Sequence, residues 1–358
     1  SLRDFYLRRA LRIMPPMYLV LALAVLLTLA GILPGTVRAT TVLLQSAHLT
    51  NYYVVNWGWW DGLASGTWIY WSLAVEEHFY LVFPLVYIAL RRLSPSARVH
   101  ALVLLGACAV VLAWRVALVF LLDATKDRTY VATDTRIDSI LFGCVLGVYA
   151  NPMLDPTRIS ERAWKWLWLP VAAALLVFTF GFQAPGFTET ARYSLQGLAL
   201  FPLFIVAIRY PNWPPARLLN LRPVALVGVI SYSLYLLHPS VLYGVDQWLP
   251  AGAVVRGAVS LAITLSLASA IYLAIERPCA RLRRRLSKTA TRQVLRPSNR
   301  SRGEEGETSM FPDNVTRVIS AGSPTNGPVP ARPGNGYAAA NARMISTNGD
   351  VHAFLKPE

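Results

Sequence analysis

The fold of this chain is decided by the stretch Trp68-Ile-Tyr-Trp-Ser-Leu-Ala-Val-Glu-Glu-His-Phe-Tyr-Leu-Val-Phe-Pro-Leu-Val-Tyr-Ile-Ala-Leu90, which is apolar and long enough to cross a bilayer but carries two adjacent carboxylates. A carboxylate near the bilayer centre costs about 2.5–3.5 kcal/mol, whereas each apolar residue returns only about 0.3–0.6 kcal/mol. Glu76 and Glu77 are therefore candidate functional residues, because ionisable groups inside spans usually face a polar interior. The alternative is a structural role, at a wet helix end or in an ion pair with an arginine.

The 358-residue chain as a whole is apolar and basic, with 54% hydrophobic residues, 15% charged residues and a formal net charge of +15. Apolar runs of about 18 or more residues recur, which predicts an all-α, polytopic helical membrane protein whose partner is the lipid bilayer. The arginines cluster at the ends of these runs, as in the positive-inside pattern, so the basic charge indicates no nucleic-acid partner. Three cysteines without a CxxC spacing indicate no disulfide framework and no metal site.

The apolar runs also predict a topology. They fall near residues 14–33, 38–57, 69–90, 100–122, 136–151, 164–183, 192–210, 224–243 and 254–275. The arginine-rich clusters between them can all be cytoplasmic only if one segment fails to cross. The best candidate is 38–57, which we predict to be re-entrant or on the outer face because it contains Gln45, Ser46, His48, Asn51 and Asn56. About eight crossings then remain, with both chain ends in the cytoplasm.

The character of the sequence changes near residue 287. Residues 1–286 form the predicted transmembrane domain, whereas residues 287–358 are rich in Ser, Arg, Pro, Asn and Gly and have no apolar periodicity. Such a segment buries too little apolar surface to offset the entropy of ordering. We therefore expect a disordered cytoplasmic tail.

The predicted topology brings polar side chains from four helices to a similar depth. Glu76 and Glu77 would lie about 10–15 Å below the outer end of their helix. One polar cavity in the outer half of the membrane is therefore predicted, formed by Glu76, Glu77, Arg115, Arg136, Asp138 and His238. Two structural alternatives stay open: an ion pair of Arg136 with Asp138 or Asp134, and a hydrogen-bonded interfacial His238.

A different pair of charges opens the first helix. Arg9 and Arg12 are spaced so that they share one helix face at the predicted inner side of the membrane. Two guanidinium groups placed in this way can bind phosphate bidentately. The structural alternative is an anchor to lipid headgroups.

Several motifs resemble those of the acyltransferase-3 family of membrane acyltransferases. Trp71-Ser-Leu-Ala-Val-Glu-Glu-His-Phe-Tyr80 resembles its motif WSLAVEEQFY, with His78 in place of glutamine. Phe5-Tyr-Leu-Arg-Arg-Ala-Leu-Arg-Ile-Met-Pro-Pro16 is similar to the arginine-rich start of its third helix. Further resemblance lies in Thr133-Asp-Thr-Arg-Ile-Asp-Ser-Ile-Leu-Phe-Gly143, Ile230-Ser-Tyr-Ser-Leu-Tyr-Leu-Leu-His238 and Tyr272-Leu-Ala-Ile-Glu-Arg-Pro278.

This resemblance implies an O-acyltransferase of a bacterial-type cytoplasmic membrane. It would move an acyl group, often acetyl, from acyl-coenzyme A to a hydroxyl of a cell-envelope glycan, glycolipid or similar sugar acceptor. Acyl-CoA would be a co-substrate, and no permanently bound cofactor is expected. In this resemblance, Arg9 and Arg12 would contact the donor phosphates. Catalysis and the acceptor side would depend on Glu76, Glu77, Arg136 and Asp138.

One departure from the family keeps other functions open. Family members normally begin with two further helices, the first with an R-x(10)-H motif whose histidine is taken as catalytic. This chain, which starts at Ser1, does not contain that motif, so we expect it to be truncated at the N-terminus and catalytically incomplete. The alternatives are an inactive truncated remnant and a transporter or flippase of a polar or acylated substrate, in which the buried charges line a path.

Overall fold

A computed structural model describes residues 2–294, with side chains described as far as Leu286. All regular structure within these residues is helical, with a 3₁₀ turn at Thr67–Ile69 and π-helical turns at Trp164–Trp168 and Tyr272–Glu276. The α-helices are α1 Leu2–Leu29, α2 Ala39–Ser46, α3 Thr50–Trp57, α4 Tyr70–Leu93, α5 Ala97–Phe120, α6 Lys126–Val131, α7 Thr133–Arg136, α8 Asp138–Val148, α9 Glu161–Ala163, α10 Leu169–Gly181, α11 Pro185–Glu189, α12 Ala191–Arg209, α13 Pro214–Leu219, α14 Arg222–Trp248, α15 Ala253–Ile271 and α16 Arg277–Val294.

The predicted all-α, polytopic architecture is confirmed. In the described part of the chain, 7 helices are long and apolar enough to cross a membrane. The predicted count of eight crossings is not confirmed, because the segment near 136–151 forms only the 11-residue helix α8. The domain boundary predicted at residue 286 falls inside α16, and residues 295–358 of the predicted tail lie outside the described residues.

Two apolar cores position the long helices. The first joins α1, α4, α14 and α15 through buried residues such as Met17, Tyr70, Leu236 and Ala268. The second joins α4, α5 and α8 through Phe79, Leu104 and Phe142, among others. Leucine and valine side chains on the outer faces of the helices are exposed, as lipid-facing positions require.

The polar segment 38–57 forms a hairpin of two short helices, and its predicted place, re-entrant or on the outer face of the membrane, stays a prediction. Helices α2 and α3 have 8 residues each, about 12 Å, which is too short to cross. The segment starts and ends at the loop before α4, where the Arg38 amide donates to the Gly62 carbonyl oxygen at 3.0 Å. Its turn carries His48 in a left-handed conformation, with φ 57°. The hairpin tip contacts the middle of the bundle, because His78 of α4 hydrogen-bonds to the backbone of His48.

Close contact between the loop before α4 and α14 requires glycine at position 66. Gly66 has φ +77°, and a Cβ atom there would come within 2.3 Å of the Ser240 backbone nitrogen. The Ser240 hydroxyl also donates to the Ser65 carbonyl oxygen at 2.7 Å. These contacts fix the start of α4 and hence the height of its carboxylates.

We expect Gly66→Ala to lower the free energy of unfolding by about 1–3 kcal/mol, because alanine would be strained at this φ and would push α14 away. Thermal unfolding of the detergent-solubilised protein measures the effect. Gly106→Ala in α5 is the matched control, because a Cβ at Gly106 meets nothing within 4 Å. Equal midpoints for the two variants would show that the close approach contributes no stability.

Candidate active site

The carboxylate pair of α4 lies beside the first half of α1. Arg9 and Arg12 interact electrostatically with Glu76, and Tyr80 hydrogen-bonds to it. The Arg9 guanidinium stacks over the Tyr80 ring, 4.1 Å from its centroid. Glu76 keeps an exposed surface although these groups lie beside it.

The predicted separation of Glu76 and Glu77 from the two arginines is wrong, whereas the depth of the carboxylates in a membrane stays a prediction. Helices α1 and α4 run antiparallel, and the Tyr6 hydroxyl donates to the Leu81 carbonyl oxygen at 2.9 Å. Helix α1 is already helical from Leu2 onward, so Arg9 and Arg12 lie within it. Glu76 attracts both guanidinium groups electrostatically and partly balances their charge.

Further charged groups complete this site. One carboxylate oxygen of Glu77, Oε1, is buried without a hydrogen-bond partner among the described residues. Glu276, in the π-helical turn before α16, accepts a hydrogen bond from Ser233 and lies near Arg12. We call this group the carboxylate–arginine cluster; it consists of Arg9, Arg12, Glu76, Glu77, Tyr80 and Glu276. It combines cations able to bind phosphate with carboxylates able to accept a proton.

The cluster lies toward one end of the bundle, here called the arginine-rich end. Arg283 of α16 has Arg8, Arg9, Arg12 and Arg284 as electrostatic neighbours. The connection from α4 to α5 adds further arginines, because the end of α4 lies beside the start of α1. The opposite end, called the distal end, carries the loops that precede α2, α4, α6 and α12.

Asp138 is engaged by an arginine other than the predicted one. The Arg115 guanidinium donates to both carboxylate oxygens of Asp138, at 2.9 and 2.7 Å, and both side chains are fully buried. Arg115 also donates to the Ser194 hydroxyl at 2.7 Å and to the Thr190 carbonyl oxygen at 3.1 Å. This network fastens α5, α8 and α12 together, which gives Asp138 a positioning role.

The predicted ion pair of Arg136 with Asp138 or Asp134 is also absent from the described structure. Asp134 instead pairs with Arg128 at 2.5 Å and accepts a hydrogen bond from Trp114 at 2.7 Å. Burial raises the pKa of Asp134, but these hydrogen bonds outweigh it and the pKa lies below its usual value. Both aspartates are therefore occupied by partners on neighbouring elements.

Arg136 lies among aromatic rings. Its guanidinium carbon is 3.9 Å from the centroid of Tyr193, 5.7 Å from that of Tyr130 and 5.9 Å from that of Trp71. Its Nη1 atom is buried, with no hydrogen-bond partner in the part of the chain that the structure describes. Cation–π contact with three rings, together with electrostatic attraction by the nearby Asp138 carboxylate, stabilises the charge.

Tyr130 and Tyr193 also line a recess of about 670 Å³ at the distal end. We call it the distal recess. Aromatic and charged side chains share its wall, among them Trp59, Lys126, Asp127, Glu189 and Arg192. Aromatic faces combined with hydrogen-bonding groups are typical of small-molecule sites that fix the orientation of a polar ligand.

Polar groups connect the carboxylate–arginine cluster with the distal recess. The hydroxyls of Ser72 and Tyr235 lie 2.6 Å apart. Tyr235 interacts electrostatically with both Glu76 and Tyr130, so it lies between the two sites. His238 is exposed, and its Nδ1 atom contacts the Tyr235 carbonyl oxygen at 2.7 Å. This contact agrees with the hydrogen-bonded alternative for His238 and not with a place in a shared cavity.

His78, the departure from the family motif, joins three elements. Its Nδ1 atom lies 2.7 Å from the Thr133 hydroxyl, which accepts a hydrogen bond from Asn51 at 2.9 Å. Its ring stacks on Tyr52 of the hairpin. His78 therefore holds the hairpin against α4 and α7.

A family model described as an acyltransferase domain matches residues 1–275, which is most of the chain. The chain belongs to the acyltransferase-3 family. O-acetyltransferase OatA of Staphylococcus aureus (strain NCTC 8325 / PS 47) is 29% identical over 214 residues, or 58% of this chain and 35% of the relative. Peptidoglycan O-acetyltransferase OatA of Listeria monocytogenes is 24% identical over 252 residues, or 66% of this chain and 39% of the relative.

The chain therefore spans less than half the length of these two curated relatives. No solved structure is significantly similar to it. The region matched to the acyltransferase-3 family contains the whole distal recess and all of the carboxylate–arginine cluster except Glu276.

Sequence reasoning missed several residues of the distal recess. Arg192 and Tyr193 come at the start of an apolar run, where an arginine and a tyrosine are ordinary interfacial residues. Tyr130 lies in a short polar helix that had no assigned role. The sequence did contain a signal, which was Arg192. This arginine lies at the distal end, away from the arginine-rich clusters that mark the other end of the acyltransferase-3 bundle.

Proposed function

We propose that the chain acts as a membrane O-acyltransferase that moves an acetyl group from acetyl-CoA to a hydroxyl of a cell-envelope glycan or glycolipid. The observation that carries the proposal is the joining of Arg9 and Arg12 with Glu76 and Glu77 in one cluster, which polar side chains link to the distal recess. The acetyl group and the envelope acceptor are supported by the names of the relatives, one of which is a peptidoglycan O-acetyltransferase.

The arginine-rich end faces the cytoplasm in this proposal, following the positive-inside rule. The protein lies in the cytoplasmic membrane, takes the donor from the cytoplasm and takes the acceptor at the distal end. Arg9 and Arg12 bind the phosphates of the donor, which is a co-substrate that leaves after each turnover. The approach of two guanidinium groups to one carboxylate also holds Glu76 beside the donor phosphates.

The reaction exchanges a thioester for an oxygen ester. A base removes the proton of the acceptor hydroxyl, the hydroxyl oxygen attacks the thioester carbonyl carbon, and the carbon–sulfur bond breaks to release coenzyme A as its thiol. Glu76 or Glu77 orients or activates that base, because a carboxylate is a strong hydrogen-bond acceptor that can hold a base in one orientation. Arg136 and Asp138 shape the acceptor side, Asp138 through its hold on α5 and α12.

Coenzyme A binding tests the donor assignment. The double variant Arg9→Gln/Arg12→Gln is expected to bind coenzyme A at least about tenfold more weakly, because a hydrogen bond to a charged group contributes about 1.5–3 kcal/mol. Isothermal titration of the detergent-solubilised protein measures the affinity, and thermal unfolding checks that the variant is folded.

The matched control is Arg91→Gln/Arg92→Gln, which removes two exposed charges near the same end of the bundle. It is expected to leave the affinity for coenzyme A unchanged within about twofold. A role as a lipid-headgroup anchor instead expects both double variants to bind coenzyme A normally. That outcome, in folded protein, would overturn the donor assignment.

A transporter or flippase is the second candidate, favoured by the polar connection through Ser72 and Tyr235. Such a protein would carry its substrate along this route without binding coenzyme A. Absence of coenzyme A binding together with movement of an envelope sugar across vesicle membranes would support it over acyl transfer.

A further inference from the structure

Arg136 forms no ion pair within 4.0 Å among the described residues. The two nearest acidic residues in sequence, Asp134 and Asp138, are held by Arg128 and Arg115 at 2.5 and 2.7 Å. The Nη1 atom of Arg136 is buried, and no described residue offers it a hydrogen-bond acceptor. A buried guanidinium donor left in this state is destabilising. Asp138 attracts the Arg136 guanidinium electrostatically but leaves Nη1 without an acceptor. A nearby anionic ligand would add to that attraction.

A second arginine approaches the same aromatic ring. The guanidinium carbon of Arg192 lies 5.3 Å from the centroid of Tyr193, and that of Arg136 lies 3.9 Å from it. The Nε atom of Arg192 is likewise buried without a hydrogen-bond partner among residues 2–294. Two like charges close to one ring repel each other. Both arginines would therefore be stabilised by the same added negative charge.

The charges of the distal recess limit how much negative charge it accepts. Its wall carries Lys126 and Arg192 and also Asp127 and Glu189, so these four charges balance. None of the four forms an ion pair within 4.0 Å in the described structure. Arg136, behind Tyr130 and Tyr193, then leaves one positive charge in excess. The balance fits a ligand with one anionic group at a time and not a polyphosphate.

The remaining wall has the chemistry of a sugar site. Trp59, Tyr130 and Tyr193 present aromatic surface to the recess, and Asp127 and Glu189 are acceptors for hydroxyl donors. A volume of about 670 Å³ accommodates more than one sugar ring. A planar guanidinium matches a carboxylate in a two-pronged hydrogen bond better than it matches a hydroxyl.

From these contacts we propose that the distal recess binds an acidic glycan, with the carboxylate of one sugar residue paired to Arg192 in the wall and attracted by the charge of Arg136 behind Tyr130 and Tyr193. The assignment rests on the proposed function in one respect: the bound sugar is the acyl acceptor. It narrows the acceptor class from any envelope sugar to one that carries a carboxylate next to the acylated residue.

The experiment compares two probes that differ only in charge. The first is a tetrasaccharide of alternating N-acetylglucosamine and glucuronate, and the second is the same tetrasaccharide with its carboxylates reduced to hydroxymethyl groups. Wild-type protein is expected to bind the acidic probe at least about tenfold more tightly than the reduced one, by titration in detergent at low salt. Equal affinities for the two probes would overturn the proposal.

Arginine variants assign the preference to its residues. Arg136→Gln and Arg192→Gln are each expected to reduce the ratio of the two affinities to about threefold or less, while binding of the reduced probe stays unchanged. Arg136→Lys keeps the charge behind the recess, so a ratio near that of the wild type is expected. A full preference in folded Arg192→Gln would contradict the assignment.

The matched control is Arg38→Gln, at the same end of the bundle. Arg38 is exposed and already paired with Asp61 at 2.6 Å, so its removal is expected to leave the ratio unchanged. Coenzyme A affinity is measured on the same preparations. A charge preference without coenzyme A binding would retain the acidic-glycan site and reject acyl transfer, whereas acyl transfer without charge preference would reject the acidic-glycan site alone.

Discussion

Replacement of Asp138 by alanine is expected to lower the free energy of unfolding by about 3–5 kcal/mol and to deplete the folded protein. The side chains of Asp138 and Arg115 are both fully buried, and Arg115 would be left as a charge without its carboxylate. The loss would loosen α8 from α5 and α12, which Ser194 joins through the same network. Thermal unfolding and the monodisperse fraction in size-exclusion chromatography measure the effect.

Two variants separate this effect from a general loss of charge. Asp134→Ala breaks a pair whose side chains are 25% and 39% exposed, and it is expected to cost no more than about 1 kcal/mol. The double variant Arg115→Met/Asp138→Leu removes both buried charges at once and is expected to recover much of the lost stability. Similar unfolding midpoints for Asp138→Ala and Asp134→Ala would refute the positioning role of Asp138.

The second large effect concerns acyl transfer itself. Glu76→Gln and Glu77→Gln, made separately in the full-length protein, are each expected to reduce acetyl transfer by about 10²–10⁴-fold, the range for loss of acid–base assistance. Glutamine keeps the size of the side chain but removes the acceptor strength and the charge that balances Arg9 and Arg12. Transfer of radiolabelled acetyl from acetyl-CoA to envelope material in isolated membranes measures the rate.

Glu161→Gln serves as the control for this pair of variants. Glu161 is exposed and pairs with Lys165 within one helical turn, far along the chain from the cluster. Its replacement is expected to leave both the rate and the protein level unchanged. If either glutamine variant in α4 transfers acetyl at the normal rate with normal protein levels, that glutamate has no role in the reaction.

Features set by the lipid environment could be predicted from the sequence. Helices of span length and a hairpin at the polar segment 38–57 both follow because lipid rejects unpaired backbone and isolated polar side chains. The count of crossings could not be predicted, because apolar residues after Arg136 continue beyond the 11 residues that form α8. Composition alone does not reveal where a short apolar helix ends.

Which charged residues pair with each other could not be predicted from the sequence. Arg136 is two residues from Asp138 in the chain, yet Arg115, on another helix, holds that carboxylate. Spacing identifies neighbours on one helix face but contains no information on which face meets which helix. For the same reason, the contact between Glu76 and Arg9 could not be predicted. Position along α4 does not show that α1 packs beside it.

The fully buried ion pair also constrains how the protein is made. Arg115 and Asp138 are 23 residues apart in the chain and lie on successive apolar segments. If each segment left the translocon alone, each would carry a bare charge into lipid at about 2.5–3.5 kcal/mol. Release of α5 and α8 together, as a preformed hairpin with the guanidinium already on the carboxylate, avoids both costs. Biogenesis of this bundle is therefore expected to proceed by pairs of helices, with α12 joining once Ser194 has been synthesised.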